Sequence, residues 1–114
     1  MNIYDKAHEL ARLLKNSPEV LEYKKMVEKI KQNEENKKIV EDLRKKELEV
    51  YSKQLQGIQV SKEELDAINN LYSIIQFNND IRQYLEAERR FSILWQDIIK
   101  ILGDAIEIDF NPNL

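Results

Sequence analysis

A chain of 114 residues and 13.6 kDa has room for one domain and is short for two. Eighteen basic and 21 acidic residues make up 34% of it, against two glycines and two prolines, too few turn-formers for a β-sandwich or barrel. The absence of cysteine removes disulfides, thiolate metal sites and cysteine nucleophiles.

At this size folding hides only about two-thirds of the unfolded surface, so some apolar surface is expected to remain for a partner. The apolar runs fall far short of the ~20 residues that cross a bilayer, and a start containing Asn2, Asp5 and Glu9 is unlike a signal peptide. A cytosolic protein that does not engage membranes is expected. Charge is uneven: residues 1–57 carry 13 basic and 11 acidic side chains, residues 58–114 carry 5 and 10. Neither half has the basic excess of a nucleic-acid footprint.

In chain order, Ile3, Ala7, Leu10, Ala11 and Leu14 recur at the period of one helix face and predict a helix over 3–15. Asn16-Ser17-Pro18 ends it, because proline disfavours helical geometry in the residue before it, while Ser17 can cap a second helix whose first position is Pro18. That helix should face Val20, Tyr23, Val27 and Ile30 inward. The polar run 31–36 interrupts the pattern. It resumes with Ile39, Leu43, Val50 and Tyr51, with Val40, Leu48 and Leu55 alongside, predicting a third helix over 34–56 closed by Gly57. Ser61 followed by Glu64 forms a capping box and starts a fourth helix, 62–76. Asn78-Asn79-Asp80 caps a fifth, 79–106, whose seam Ile81, Tyr84, Glu88, Phe91, Trp95, Ile98, Leu102, Ala105 advances in steps of three and four, as in coiled-coil-like packing.

These elements define the expected fold: all-α, a five-helix antiparallel bundle or hairpin with two long helices. A single domain over 1–108 would be followed by a flexible tail, 109–114. A faint internal echo aligns Ser17, Val20, Tyr23, Met26 and Ile30 with Asn78, Ile81, Tyr84, Ala87 and Phe91. Duplication or convergence of two capped amphipathic helices would both produce it.

The chain is poor in catalytic groupings. His8 is the single histidine, so no two-histidine metal motif or histidine dyad exists, and its place beside Asp5 fits a surface position. Gly57 and Gly103 stand too far apart for a phosphate loop. Pairs such as Glu34 with Lys38 and Glu41 with Lys45 read as solvated helix-surface pairs. Glu88 falls on the apolar seam, where it would sit wetted at a splayed section or, if buried, be paired by Arg44 or by Arg89 or Arg90 of a neighbouring chain. No enzyme activity, metal or cofactor is expected. Lys24, Lys25, Lys37, Lys38, Arg44, Lys45 and Lys46 could touch RNA phosphates, although Glu22, Glu28, Glu41, Asp42, Glu47 and Glu49 interleave with them and cancel much of the field. Direct RNA binding through the second and third helices is therefore the alternative reading.

The most informative segment is the last. Ile93, Leu94, Trp95, Ile98, Ile99, Ile101, Leu102, Ala105, Ile106 and Ile108 put apolar groups on most of the helix circumference, where a monomer's surface helix needs one stripe. At about 1.5–3 kcal/mol per covered side chain, four or five of them offset a sizeable association cost. With Asp97, Asp104, Glu107 and Asp109 around them and one cation, Lys100, anionic lipid would repel the segment. Self-association into a dimer or larger assembly is expected, with Tyr84, Phe91, Leu94, Trp95, Ile98 and Leu102 as the candidate interface.

The opening NIYDKAHELARLLKNSPEVLEYK, the KQLQG that ends at Gly57, and LYSIIQFNNDIRQYLEAERRF through Phe91 resemble the YlbF/YmcA family of small helical bacterial proteins, in particular its YheA-like branch. The resemblance implies a helical fold around a long antiparallel pair, self-association and no known catalysis. Better-studied members assist the endoribonuclease RNase Y in messenger RNA maturation, which implies protein partners in an RNA-processing or regulatory complex. Their complex carries iron–sulfur clusters through cysteines, and this chain has none, so that role does not carry over.

Overall fold

The computed structural model describes residues 2–107. It contains five α-helices, α1 Ile3–Lys15, α2 Pro18–Lys31, α3 Glu34–Leu55, α4 Lys62–Ile75 and α5 Asn79–Ile106, and no strand among the described residues. The helix starts are set by side chains that meet otherwise unpaired backbone amides. Asn2 accepts from the Asp5 amide at 2.8 Å, Ser17 from Val20 at 3.3 Å, Asn33 from Asn36 at 3.0 Å and Ser61 from Glu64 at 3.1 Å. The Ser17 hydroxyl also donates to the Leu14 carbonyl at 2.7 Å, so one residue closes α1 and opens α2. Gly57 takes φ +72° after α3, the left-handed geometry its position predicted. The sequence-derived tail, with Ile108, lies outside the described residues.

The chain gathers into two compact units: one from the residues up to Lys24 together with those from Glu86 onward, the other Lys25–Leu85. In the second unit α3 and α4 pack as an antiparallel hairpin. The early α3 residues Val40 and Leu43 join the late α4 residues Leu71 and Ile75, with Ile30 from α2 and Ile81 from α5, and Ile39, Tyr84 and Leu85 cover the edge. Met26, Leu43 and Ile81 are sealed from solvent.

Polar contacts fix the ends of this core. Asn36, itself buried, accepts from the Asn78 amide group at 2.8 Å, while Asn78 Oδ1 accepts from the Ile81 amide at 3.0 Å. Three asparagines, 33, 36 and 78, therefore form one relay from the start of α3 to the start of α5. Lys29 pairs with Asp80 at 3.3 Å, and Lys53 pairs with Glu64 across the α3–α4 turn.

Three apolar expectations change. The α1 stripe of Ile3, Ala7, Leu10, Ala11 and Leu14 is largely uncovered: the helix has no buried residue, and only Leu10 and Leu14 reach half-burial. On α3, Tyr51 is exposed, as are Leu48 and Leu55, whereas Val50 is half-buried in the groove with Glu63, Glu64 and Ala67 of α4, so only one side of this end of the helix is covered. On α2, Val20, Tyr23 and Val27 are half-buried, whereas Met26, one position off the expected face, is fully enclosed.

Two substitutions test this core. Leu43→Ala should lower unfolding free energy by ~2–5 kcal/mol. Asn78→Ala, which removes a cap and strands the Asn36 carbonyl, should cost ~1–3 kcal/mol. Urea denaturation followed by circular dichroism reads both.

Candidate interaction surface

The first unit has a different economy of burial. Of its described residues only Ala87 is buried; the apolar side chains of α1, of the start of α2 and of α5 beyond Glu86 are half-buried or exposed. Its best-packed feature is an aromatic ladder. Tyr23 stacks on Phe91 with ring centroids 5.4 Å apart and planes 18° off parallel, and Phe91 meets Trp95 at 6.4 Å and 33°. Such offset ring pairs contribute about 0.5–1.5 kcal/mol beyond area burial.

Glu88 is half-buried beside the ladder and accepts a long hydrogen bond, 3.4 Å, from the Tyr23 hydroxyl. Tyr23 was not among the partners expected for it. The i,i+4 spacing within α5 lines Glu88 up with the seam but says nothing of which α2 residue stands opposite.

Along α5 burial is deepest at the start of the seam. Ile81 is enclosed, and Tyr84 is half-buried against the core of the second unit with the Arg44 guanidinium 5.9 Å from its ring centroid. Phe91, Leu94 and Ile98 are half-buried, whereas Trp95 is 48% and Leu102 50% exposed. Ile93, Ile99, Ile101 and Ile106 are exposed as well, so apolar groups stand open on several sides of the rod. Of the six candidate interface residues, the ladder joins Phe91 and Trp95 directly, and Tyr84 serves the other unit's core.

The basic residues proposed for RNA are partly engaged within the chain. Lys46 pairs with Asp42 at 2.7 Å and Arg44 with Glu47 at 3.5 Å, while Lys24, Lys25, Lys37, Lys38 and Lys45 are exposed. A shallow groove of about 200 Å³ between α3 and α4 is lined by Lys46, Glu49, Val50, Glu63, Glu64 and Ala67. Its Glu64 is held in the ionised form, below the ordinary carboxylate range, first by Lys53 and then by Ser61. Among the described residues no cluster of three or more histidine or carboxylate side chains is arranged for a metal ion, and no helix is long and apolar enough to cross a membrane.

A family model described as control of competence regulator ComK, YlbF/YmcA, matches residues 3–107. The chain belongs to the YlbF/YmcA family. Within this competence-regulation-related family, which is not a known enzyme family, the chain is 47% identical to a UPF0342 protein of Clostridium tetani over 97% of its own length and 96% of that protein's. A UPF0342 protein of Halothermothrix orenii is 41% identical over 99% of this chain and 96% of the relative. The all-α fold is shared with a solved structure, a protein of unknown function (DUF964) from Bacillus stearothermophilus, at a TM-score of 0.78, 18% identity and 92% coverage of both chains.

On the solvent side of this YlbF/YmcA helix, Glu86 accepts from Arg89 at 2.6 Å and from Arg90 at 3.2 Å. The Arg89 hydrogen bond, with the nearby charges of Arg89 and Arg90, brings the Glu86 carboxyl down to about 2. A depressed carboxylate favours the folded form above the unfolded-state pKa and loses that contribution as pH falls toward its folded value. Carboxyl-carbon NMR titration should therefore find Glu86 among the last acidic groups to protonate, and Arg89→Gln should return its midpoint toward the ordinary range near 4.

Proposed function

We propose that this protein is a non-enzymatic helical adaptor that assembles with itself through the C-terminal half of α5 and acts as an accessory in a regulatory complex. One observation carries the reading: the unit that contains Trp95, Ile98 and Leu102 buries a single described residue, Ala87, while its long helix exposes apolar groups on several faces. A half-covered helix gains about 1.5–3 kcal/mol for each large apolar side chain a partner encloses. Phe91 and Leu94 extend the surface toward Glu88, and Trp95 offers the ring area that interfaces favour.

Family membership supports the regulatory half of the reading, since the family is described by control of a competence regulator. Resemblance to members that assist RNase Y makes an RNA-processing complex the natural setting, with protein rather than nucleic acid as the direct contact, because Arg44 and Lys46 are already matched to Glu47 and Asp42.

Sedimentation equilibrium at micromolar concentration provides the test. The unaltered chain should sediment as a dimer or larger species. Leu102→Asp, at a half-exposed position where the fold is not at risk, should weaken association roughly 100-fold or more, about 2.8 kcal/mol. A monomeric parent chain, or a variant of unchanged mass, would overturn the proposal.

A further inference from the structure

α1 is a well-formed amphipathic helix with nothing buried beneath it. Ile3 is 84% and Tyr4 77% exposed, Ala7 and Ala11 are exposed too, and the helix is anchored only by its caps and by Leu10 and Leu14 at half-burial. A helix of 13 residues is marginal on its own in water, so tertiary cover is what such a segment ordinarily needs. Within the subunit the cover is incomplete: Ile3, Tyr4, Ala7 and Ala11 on α1 and Trp95, Ile99 and Leu102 on α5 are exposed at once.

We propose that α1 of one copy packs on the C-terminal half of α5 in a second copy, so that each chain completes the other's first unit. The inference rests on the self-association reading and adds the element that does the covering. Length favours it: α1 and the Ile93–Ile106 stretch of α5 are each about 20 Å long at 1.5 Å per residue. Charge favours it as well. Once Lys6 is paired with Glu9 and Lys100 with Asp104, α1 retains Arg12 and Lys15 against Asp5, and the second half of α5 retains Asp97, with Glu107 directly after the helix. A basic helix thus meets an acidic one, a match that α5 against α5 would lack. The two contacts are equivalent under a two-fold axis: where α1 of the first copy covers α5 of the second, the reverse holds, and the assembly closes as a dimer.

Because the chain has no cysteine, an introduced pair reports the contact without background. Ala7→Cys lies near the middle of α1 and Ile99→Cys near the middle of the apolar half of α5, so the pair meets whichever way the helices run. Two full-length single-cysteine chains with different tags, mixed, allowed to exchange and treated with a short bismaleimide, should give the mixed-tag product in excess over either same-tag product. In parallel, Ala7→Glu should weaken dimerisation at least tenfold with helicity unchanged by circular dichroism.

If the assembly persists in sedimentation yet the mixed-tag product is absent, or Ala7→Glu dimerises as the parent does, the role of α1 is refuted and self-association stands. A doubly substituted chain that cross-links only within itself places α1 on its own α5 and refutes it equally. A parent chain that sediments as a monomer removes both readings together.

Discussion

Leu43, Ile75 and Ile81 close the core of the second unit, and α5 leaves that core beyond Leu85 as an unbroken helix whose remaining length has no comparable interior to join. This imbalance in apolar burial governs the molecule. A chain of this size cannot enclose all its apolar residues, and here the shortfall runs along the whole chain, from Ile3 and Tyr4 through Leu48, Tyr51, Leu55 and Phe77 to Leu102 and Ile106. Isolated exposed apolar side chains call for no explanation. On the second half of α5, Ile93, Trp95, Ile99, Ile101, Leu102 and Ile106 stand close together, and an apolar patch of that kind is a candidate contact surface.

The second unit and the first use aromatic and charged residues to different ends. In the second, Tyr84 is pinned between core and Arg44, and ion pairs such as Lys29 with Asp80 and Lys53 with Glu64 tie helix to helix. In the first, the pairs Lys6 with Glu9, Arg89 with Glu86 and Lys100 with Asp104 each lie within one helix and stiffen it. α2 meets α5 there through the hydrogen bond from the Tyr23 hydroxyl to Glu88 and through the stacking of Tyr23 on Phe91, continued to Trp95, whose ring is left half in solvent.

The helix boundaries were legible because they are local. Ser17, Ser61 and Asn78, read as caps, each sit three residues before the amide they accept, as do Asn2 and Asn33, which were not read as caps, and Gly57 takes the positive φ its position demanded. Periodicity shows which residues share a face but not whether anything lies against that face. Hence the α1 stripe and Tyr51 were read as interior, although the former is covered only in part, at Leu10 and Leu14, and the latter is exposed. The link between Asn36 and Asn78, 42 residues apart, and that between Tyr23 and Glu88, 65 apart, join elements through tertiary approach that no spacing rule encodes. The candidate surface on α5 was visible for the opposite reason: an excess of apolar residues around a helix is a compositional fact that no intrachain packing needs to reveal.

The asparagine relay bears on how the helices keep their alignment. Leucine, isoleucine and valine contacts tolerate sliding, since one aliphatic group serves nearly as well as the next one turn along. A buried amide does not. A displacement of α3 against α5 by one turn would carry the Asn36 carbonyl some 5 Å from its donor and leave that buried group without a match. One polar contact in an otherwise greasy interior thereby discriminates among near-degenerate stackings of similar helices, and the price of that selectivity falls on the misaligned forms alone.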